Sequence, residues 1–193
     1  MLIIKKSINF AFSSQLAKTT MEDFVHLHVH SQYSLLDGQS SIKGMVNKAV
    51  ADGMRGMALT DHGNMFGAKE LYDYCNNINK ERKKNGQEPF KPIFGCEMYV
   101  ARSGDKTIRE SKEDQSGWHL IVLAKNLTGY HNLIKLVSRA WVDGFYMRPR
   151  TDHKDLEKYH EGLIVCSACV AGEVPRKIIQ GKLDEAEEAI QWY

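Results

Sequence analysis

The chain has 193 residues, of which 42% are hydrophobic and 26% charged, and its net charge is +2. That length supports one domain with a sizeable core, the composition is that of an ordinary globular protein, and so small a net charge gives no bulk electrostatic reason to bind nucleic acid. No apolar stretch reaches membrane-spanning length, and the four scattered cysteines, Cys75, Cys96, Cys166 and Cys169, do not form a secreted disulfide framework.

Residues 1–20 contain no acid and carry Lys5, Lys6 and Lys18. A targeting segment could have that composition, but no arginine or cleavage signature accompanies it, so an upstream, disordered extension is expected. A short β-type run, Phe24 to Leu27, leads into His28-Val29-His30-Ser31-Gln32-Tyr33-Ser34. Strand side chains alternate faces, so His28 and His30 point the same way, and two imidazoles one repeat apart can grip one metal ion or two neighbouring ones. His26 continues the alternation and Asp37 follows closely. Taken by itself the pair also fits plain hydrogen-bonding histidines.

Ile42, Met45, Val46, Ala49 and Val50 are spaced for a helix that Ser40 or Ser41 can cap and Gly53 can end. A strand-like run, Gly56 to Thr60, then ends in Asp61-His62-Gly63-Asn64. The pattern predicts a second helix from Ala68 to about Lys84, closed by Asn85-Gly86, with Tyr72 and Tyr74 in packing roles and Arg82-Lys83-Lys84 as its solvated end. A third run, Lys91 to Val100, carries Glu97 among apolar neighbours. Arg102 to Gly117 is polar and glycine-punctuated, a surface loop placed to lie over the strand ends it joins.

A fourth run, Trp118 to Ala124, has His119 near its start, and Asn126 opens a helix through about Ser138 in which His131 is a surface or packing residue. Trp141 to Tyr146 reads as an aromatic-rich loop before Arg148-Pro149-Arg150 and Lys154. Aromatics beside arginines can stack bases and contact phosphates, although packing on the protein body is the plainer reading. His153 and His160 flank a further polar helix. The fifth run, Leu163 to Ser167, leads to Cys169; Cys166 on it reads as buried, and the Cys166-x-x-Cys169 spacing lacks a thioredoxin-like context. Leu183 to Tyr193 is an acidic amphipathic helix. Each strand-like run thus has a His, Asp, Glu or Cys at or near its end. Alternating strands and helices argue for a parallel sheet or barrel, in which such residues converge at one end.

The HxHxxxS stretch, the strand ending in TDHG, the strand glutamate and the later histidine and cysteine resemble the PHP (polymerase and histidinol phosphatase) domain. Longer segments, FVHLHVHSQYSLLDG, ALTDHGNMFGAKELYDYC, KPIFGCEMYVA, HLIVLAKNLTGYHNLIKLVSRAWVDGFYMRPR and EGLIVCSACVAGEVP, resemble the PHP region of bacterial replicative DNA polymerase III alpha subunits from about Met21 to the end. The resemblance implies an α/β fold, a distorted, TIM-like (β/α)7 barrel over residues 21–193 holding up to three divalent metal ions. It assigns His28, His30, Asp37, His62, Glu97, His119 and Cys169 as metal ligands, with Glu97 bridging. Asp61 is expected to orient His62 or its loop, and Asp61 and Glu97 are the candidates for catalysis. The family's last Asp-x-His pair is not found, so the chain is expected to stop before its final strand or strands, with a partial site.

Mixed imidazole and carboxylate ligands suit zinc first, then manganese or iron, and such ions activate water for phosphoester hydrolysis. The resemblance therefore implies a metal-dependent phosphoesterase, a candidate 3′–5′ exonuclease within a cytoplasmic bacterial DNA polymerase. Single-stranded DNA 3′ ends and other polymerase III holoenzyme subunits are its implied partners, and no membrane is. Two alternatives stand beside it. One is a free-standing phosphatase of the histidinol-phosphate type, which FYMRPR and SACVAGEVP disfavour. The other is a non-catalytic domain whose metal holds the fold while its surface docks a separate exonuclease or the polymerase body.

Overall fold

The protein, described here by a computed structural model covering residues 24–193, is organised around one ten-residue strand, β2 (Lys91–Val100). The extension expected over residues 1–20 lies outside the described residues. β1 (Gly56–Leu59) runs parallel to the first half of β2, from Gly56 opposite Lys91 to Leu59 opposite Phe94. β3 (Trp118–Ala124) pairs antiparallel with the second half, Gly95 to Val100. β5 (Arg148–Thr151) joins parallel at Tyr99 and Val100 and carries β4 (Phe145–Tyr146) as a hairpin. β6 (Leu163–Ser167) pairs antiparallel with β3. The result is a six-stranded mixed sheet in the order β4-β5-β2-β3-β6, with β1 on β2.

The all-parallel expectation is therefore corrected. A parallel neighbour needs a crossover, usually helical, but the Arg102–Gly117 connection contains only a 3-10 turn at Glu113–Gln115. It returns the chain alongside β2 in the opposite direction. Buried Arg150 holds it, donating to the Lys106 carbonyl at 2.6 Å and the Ile108 carbonyl at 3.1 Å. The Lys106 ammonium lies 3.1 Å from Asp152 and 2.9 Å from Asp155. Those contacts anchor the loop on β5 and on α4 (His153–Lys158), the helix that Asp152 caps.

The first β-type run is a bridge rather than a strand. The Ala58 and Thr60 amides bond to the His26 and Val29 carbonyls at 2.8 and 2.9 Å, but the Val29 amide turns to the Thr60 hydroxyl instead of to backbone. A side-chain partner there ends the ladder while keeping the segment extended.

The helices form for the reasons read from the sequence. α1 (Ile42–Ala51) is capped by the Ser41 hydroxyl, which accepts from the Gly44 amide, and is ended by Gly53 at φ +79°. α2 (Ala68–Lys84) ends at Asn85-Gly86. Ile42, Val46 and Ala49 of α1 and Leu71 and Cys75 of α2 close one core over Met57 and Leu59. α3 (Leu127–Val142), capped by the Asn126 side chain, lays Leu133, Leu136 and Ala140 on Cys96, Met98, Val100, Leu120 and Val122. It runs one turn past Ser138, so Trp141 sits on the helix rather than in a loop. α5 (Glu173–Ile179), unforeseen in the sequence, and α6 (Leu183–Trp192) pack together after β6.

Because α3 covers the face of β2 bearing Cys96, Met98 and Val100, strand alternation sends Glu97 and Tyr99 to the other face. Ile121, Leu123 and Ala58 form a small apolar cluster there, and Cys166, expected to be buried, is half-buried against it.

Candidate metal centre

Glu97 is the focus of that inner face, 1% exposed and accepting from three imidazoles. Its Oε2 lies 2.6 Å from His28 Nε2 and 2.6 Å from His30 Nε2, and its Oε1 lies 2.8 Å from His119 Nδ1. His62 Nε2 stands 3.6 Å from the same Oε2. Asp37 Oδ2 is 3.0 Å from His30 Nδ1 and 3.0 Å from His62 Nε2, and its other oxygen accepts from the Ser34 hydroxyl at 2.5 Å. The two histidines of the HxH pair do share a face, as the alternation required.

Secondary structure sets these positions. Glu97 is carried by β2, and His119 by the antiparallel β3 two residues out of register, opposite Tyr99. His62 follows β1 on a loop that completes the edge of β2. The Glu97 amide donates to the Asp61 carbonyl at 3.1 Å and the Gly63 amide to the Glu97 carbonyl at 2.9 Å. Gly63 has φ +64°, and a Cβ on it would lie 2.6 Å from Pro149 Cγ and 3.3 Å from the Tyr99 ring. Only glycine meets both demands.

The charges follow from this geometry. Burial opposes ionisation of Glu97, but hydrogen bonds from His119 and His30, the charge on His62 and the His28 hydrogen bond outweigh it and hold the carboxyl far below the usual carboxylate range. The same Glu97 bond, against burial and helped by Asp37, raises His30. Burial, the largest influence, lowers His62 against the pull of Glu97 and Asp37.

Three groups of donors overlap: His28, His30 and Glu97; His30, Asp37 and His62; His62, Glu97 and His119. Within each, the donor atoms lie within 4.8 Å of one another. His28 Nε2 and His30 Nε2 are also 3.1 Å apart while facing one carboxylate oxygen, and the buried Nδ1 of His62 has no partner. Imidazoles and carboxylates converging this way suit a divalent cation better than they suit one another.

Not every expected residue joins. Cys169 is exposed, its sulfur 3.6 Å from His119 Nδ1 and accepting from the Ala171 amide, and it lies outside the three groups. His26, which was not among the assigned ligands, is exposed and sits edge-on to Phe24. Asp61, expected to orient His62 or its loop, accepts from the Ser31 amide at 2.6 Å and the Ser31 hydroxyl at 2.8 Å, tying its own loop to the turn after His30. Burial raises its pKa against those bonds.

Sequence reasoning missed several supports. Ser34 donates to Asp37 and accepts from the His62 amide. Asn64 ties the His62 and Tyr33 carbonyls together. The Tyr99 ring stacks on His62 and meets His119 edge-on. Tyr99 could have been found, because it is two residues from Glu97 on a strand and so shares its face. The Ser34-x-x-Asp37 spacing is the local signal that could have paired Ser34 with Asp37.

Fold and site together define a mixed α/β domain that gathers four histidines and two carboxylates at its strand ends in a donor set suited to divalent metal. The chain belongs to the PHP domain family, whose model matches residues 26–193. Among curated proteins it is 47% identical over 170 residues to DNA polymerase III subunit alpha of Borreliella burgdorferi, an alignment covering 88% of this chain and 14% of that protein. The corresponding subunit of Treponema pallidum is 46% identical over 88% of this chain and 14% of its own length. That of Deinococcus radiodurans is 40% identical over 88% and 12%. The chain thus spans 14% or less of these relatives. Among solved structures, an amidohydrolase from Chromobacterium violaceum aligns over 86% of this chain and 53% of that one, at 14% identity and a TM-score of 0.35. At that level the likeness bears on neither fold nor chemistry.

Proposed function

We propose that this domain is a metal-dependent phosphoesterase acting on phosphodiester bonds, with a 3′–5′ exonuclease as its specific form. The observation that carries the reading is the Glu97 carboxylate held among His28, His30 and His119 while Asp37 faces His30 and His62. His28, His30, Asp37, His62, Glu97 and His119 would hold up to three divalent ions, zinc before manganese or iron because imidazole dominates the set. Cys169, beside His119, is the reserve ligand at the rim. Bound there, such ions supply Lewis acidity toward a phosphoryl oxygen and toward water.

The chain's own residues do the positioning. Glu97 fixes three imidazoles with one buried anion. Asp61 holds the Ser31 turn and, through it, His30. Ser34 orients Asp37. Tyr99 walls one side of His62 and keeps that ring in place. In the wider fold, the sheet would form the larger part of a distorted (β/α)7 barrel. In a longer protein like its relatives, the domain would serve cytoplasmic DNA replication beside other polymerase III subunits, with the 3′ end of single-stranded DNA as substrate.

Elemental analysis of the purified chain, followed by hydrolysis assays on single-stranded oligonucleotides and on a small phosphomonoester, tests this. Bound zinc, manganese or iron with chelator-sensitive trimming of oligonucleotides is the expected result. A chain that binds no metal, or that cleaves only the small phosphomonoester, would overturn it.

A further inference from the structure

Beside the metal centre lies an aromatic surface that the core does not absorb. Phe66, Trp141, Phe145 and Met147 are 58%, 42%, 43% and 61% exposed. Trp141 and Phe145 stack with centroids 5.4 Å apart at 15°, and Phe66 lies 6.4 Å from Trp141. The central ring is held in place. The Trp141 indole N–H donates to the Gly63 carbonyl at 2.7 Å, which fixes the ring while leaving much of it in solvent. Gly63 directly follows His62, and Pro149, two residues past the hairpin tip, packs on it.

The tip itself is constrained. Met147 lies between Tyr146 and Arg148, which pair directly, and adopts φ +61°, the left-handed region that a residue with a Cβ avoids. Strain of this kind persists where the surroundings enforce it, and it concentrates at functional sites. Arg148 follows at once, half-buried, one guanidinium nitrogen on the Met147 carbonyl.

The geometry points to a stacking platform here: Trp141, Phe145 and Phe66 receive unpaired bases of a single-stranded nucleic acid whose backbone passes Arg148 toward the metal centre. This rests on the phosphodiester reading above and adds to it a binding subsite that selects single strands over duplex. Bases in a duplex are already stacked and paired, whereas every unpaired base offers a π-face to such rings whatever its identity. Continuity favours this occupant over an apolar protein segment. One residue, Gly63, links the shelf to the ligand loop: it follows His62 directly and its carbonyl accepts from Trp141. A cation stands at the rim, where a nucleic-acid backbone has use for it and an apolar segment has none.

The test is binding of fluorescein-labelled oligo(dT) to the 193-residue chain by fluorescence anisotropy, as isolated and again in EDTA so that nothing is cut, beside a duplex of equal length. Oligo(dT) should bind more tightly than duplex. Phe145→Ala and Phe66→Ala, both at exposed positions and checked for native circular dichroism, should each weaken oligo(dT) binding about tenfold, in the range one lost base stack gives. Arg148→Gln should weaken it and flatten its salt dependence. Unchanged affinity in the folded phenylalanine variants, equal affinity for duplex, or no binding at all would overturn the platform. The two readings fail separately. Shelf-dependent binding without hydrolysis by the metal-loaded chain would sink the phosphoesterase and keep the platform. Hydrolysis indifferent to Phe145 and Phe66 would do the reverse.

Discussion

Gly63→Ala is the most informative single substitution, because Gly63 touches the ligand loop, the hairpin and the aromatic shelf together. Its φ of +64° places a new Cβ in the left-handed region, at a cost of roughly 1–2 kcal/mol. The same Cβ would stand 2.6 Å from Pro149 Cγ, on a buried ring that cannot swing aside, which adds an overpacking cost of roughly 1–3 kcal/mol. The total is about 2–5 kcal/mol, and in a chain of this size each kilocalorie lowers Tm by about 2–4 °C. Urea and thermal unfolding, with elemental analysis of the same samples, measure both the loss of stability and the displacement of His62. Gly53→Ala is the control. Gly53 has φ +79°, but nothing lies within 4 Å of its would-be Cβ, so only the backbone cost applies. Equal destabilisation of the two variants, or unchanged metal content in Gly63→Ala, would refute the argument from contact.

Glu97→Gln removes the carboxylate common to two of the three donor groups, so bound metal should fall by half or more; elemental analysis showing full metal content would exclude Glu97 as a ligand. Asp61→Asn weakens the grip on Ser31 without touching a donor, so urea unfolding should show a loss of roughly 1–3 kcal/mol with metal retained. Metal loss from a stably folded Asp61→Asn as complete as that from Glu97→Gln would show that more than the Ser31 turn depends on Asp61. Glu173, 9% exposed, is opposed by burial but faces His153 at 3.7 Å and accepts from Lys177 and Tyr193, and is lowered from 4.5 to about 2. Its folded value lies below its unfolded one, so its stabilisation is complete above pH 4.5 and fades as pH falls toward about 2. At its ceiling it is about 3 kcal/mol. Glu173→Gln should flatten the stability profile across that acid window, and a parallel profile in the variant would show that Glu173 contributes nothing there.

Much of the fold was legible because the runs that became β2, β3 and β6 are short, apolar and bounded, and because α1 and α2 carry both periodicity and stop signals. Strand direction was not. The run Trp118 to Ala124 reads the same whichever way it pairs, and only the folded loop before it makes β3 antiparallel. β4 and β5 escaped because Phe145-Tyr146 and Arg148-Pro149-Arg150 are too short and too polar to announce a hairpin. At the site, chemistry was easier to read than contact. His28 and His30 share a face as their spacing required, and Asp37, His62, Glu97 and His119 gather with them as the family resemblance implied. Cys169 stays at the rim because the Ala171 and Gly172 backbone, bonded to His119 and to Cys169, sets that turn outside the cluster. Asp61 ties its own loop to Ser31 rather than bonding His62 directly, since a carboxylate two bonds from the backbone finds the nearest amide, and that amide came from a distant segment.

The edge of β2 between its β1 and β5 partners is closed by a loop rather than a strand, and this gives the protein a built-in reporter. The Glu97 amide is protected by the Asp61 carbonyl and the Gly63 amide by the Glu97 carbonyl, both for only as long as the His62 loop lies in place. The Met98 and Val100 region, pinned by β3 and packed under α3, exchanges its amide protons only when the sheet itself opens. Deuterium uptake at those two loop-dependent amides therefore tracks the opening of the donor cluster residue by residue, on a clock separate from global unfolding.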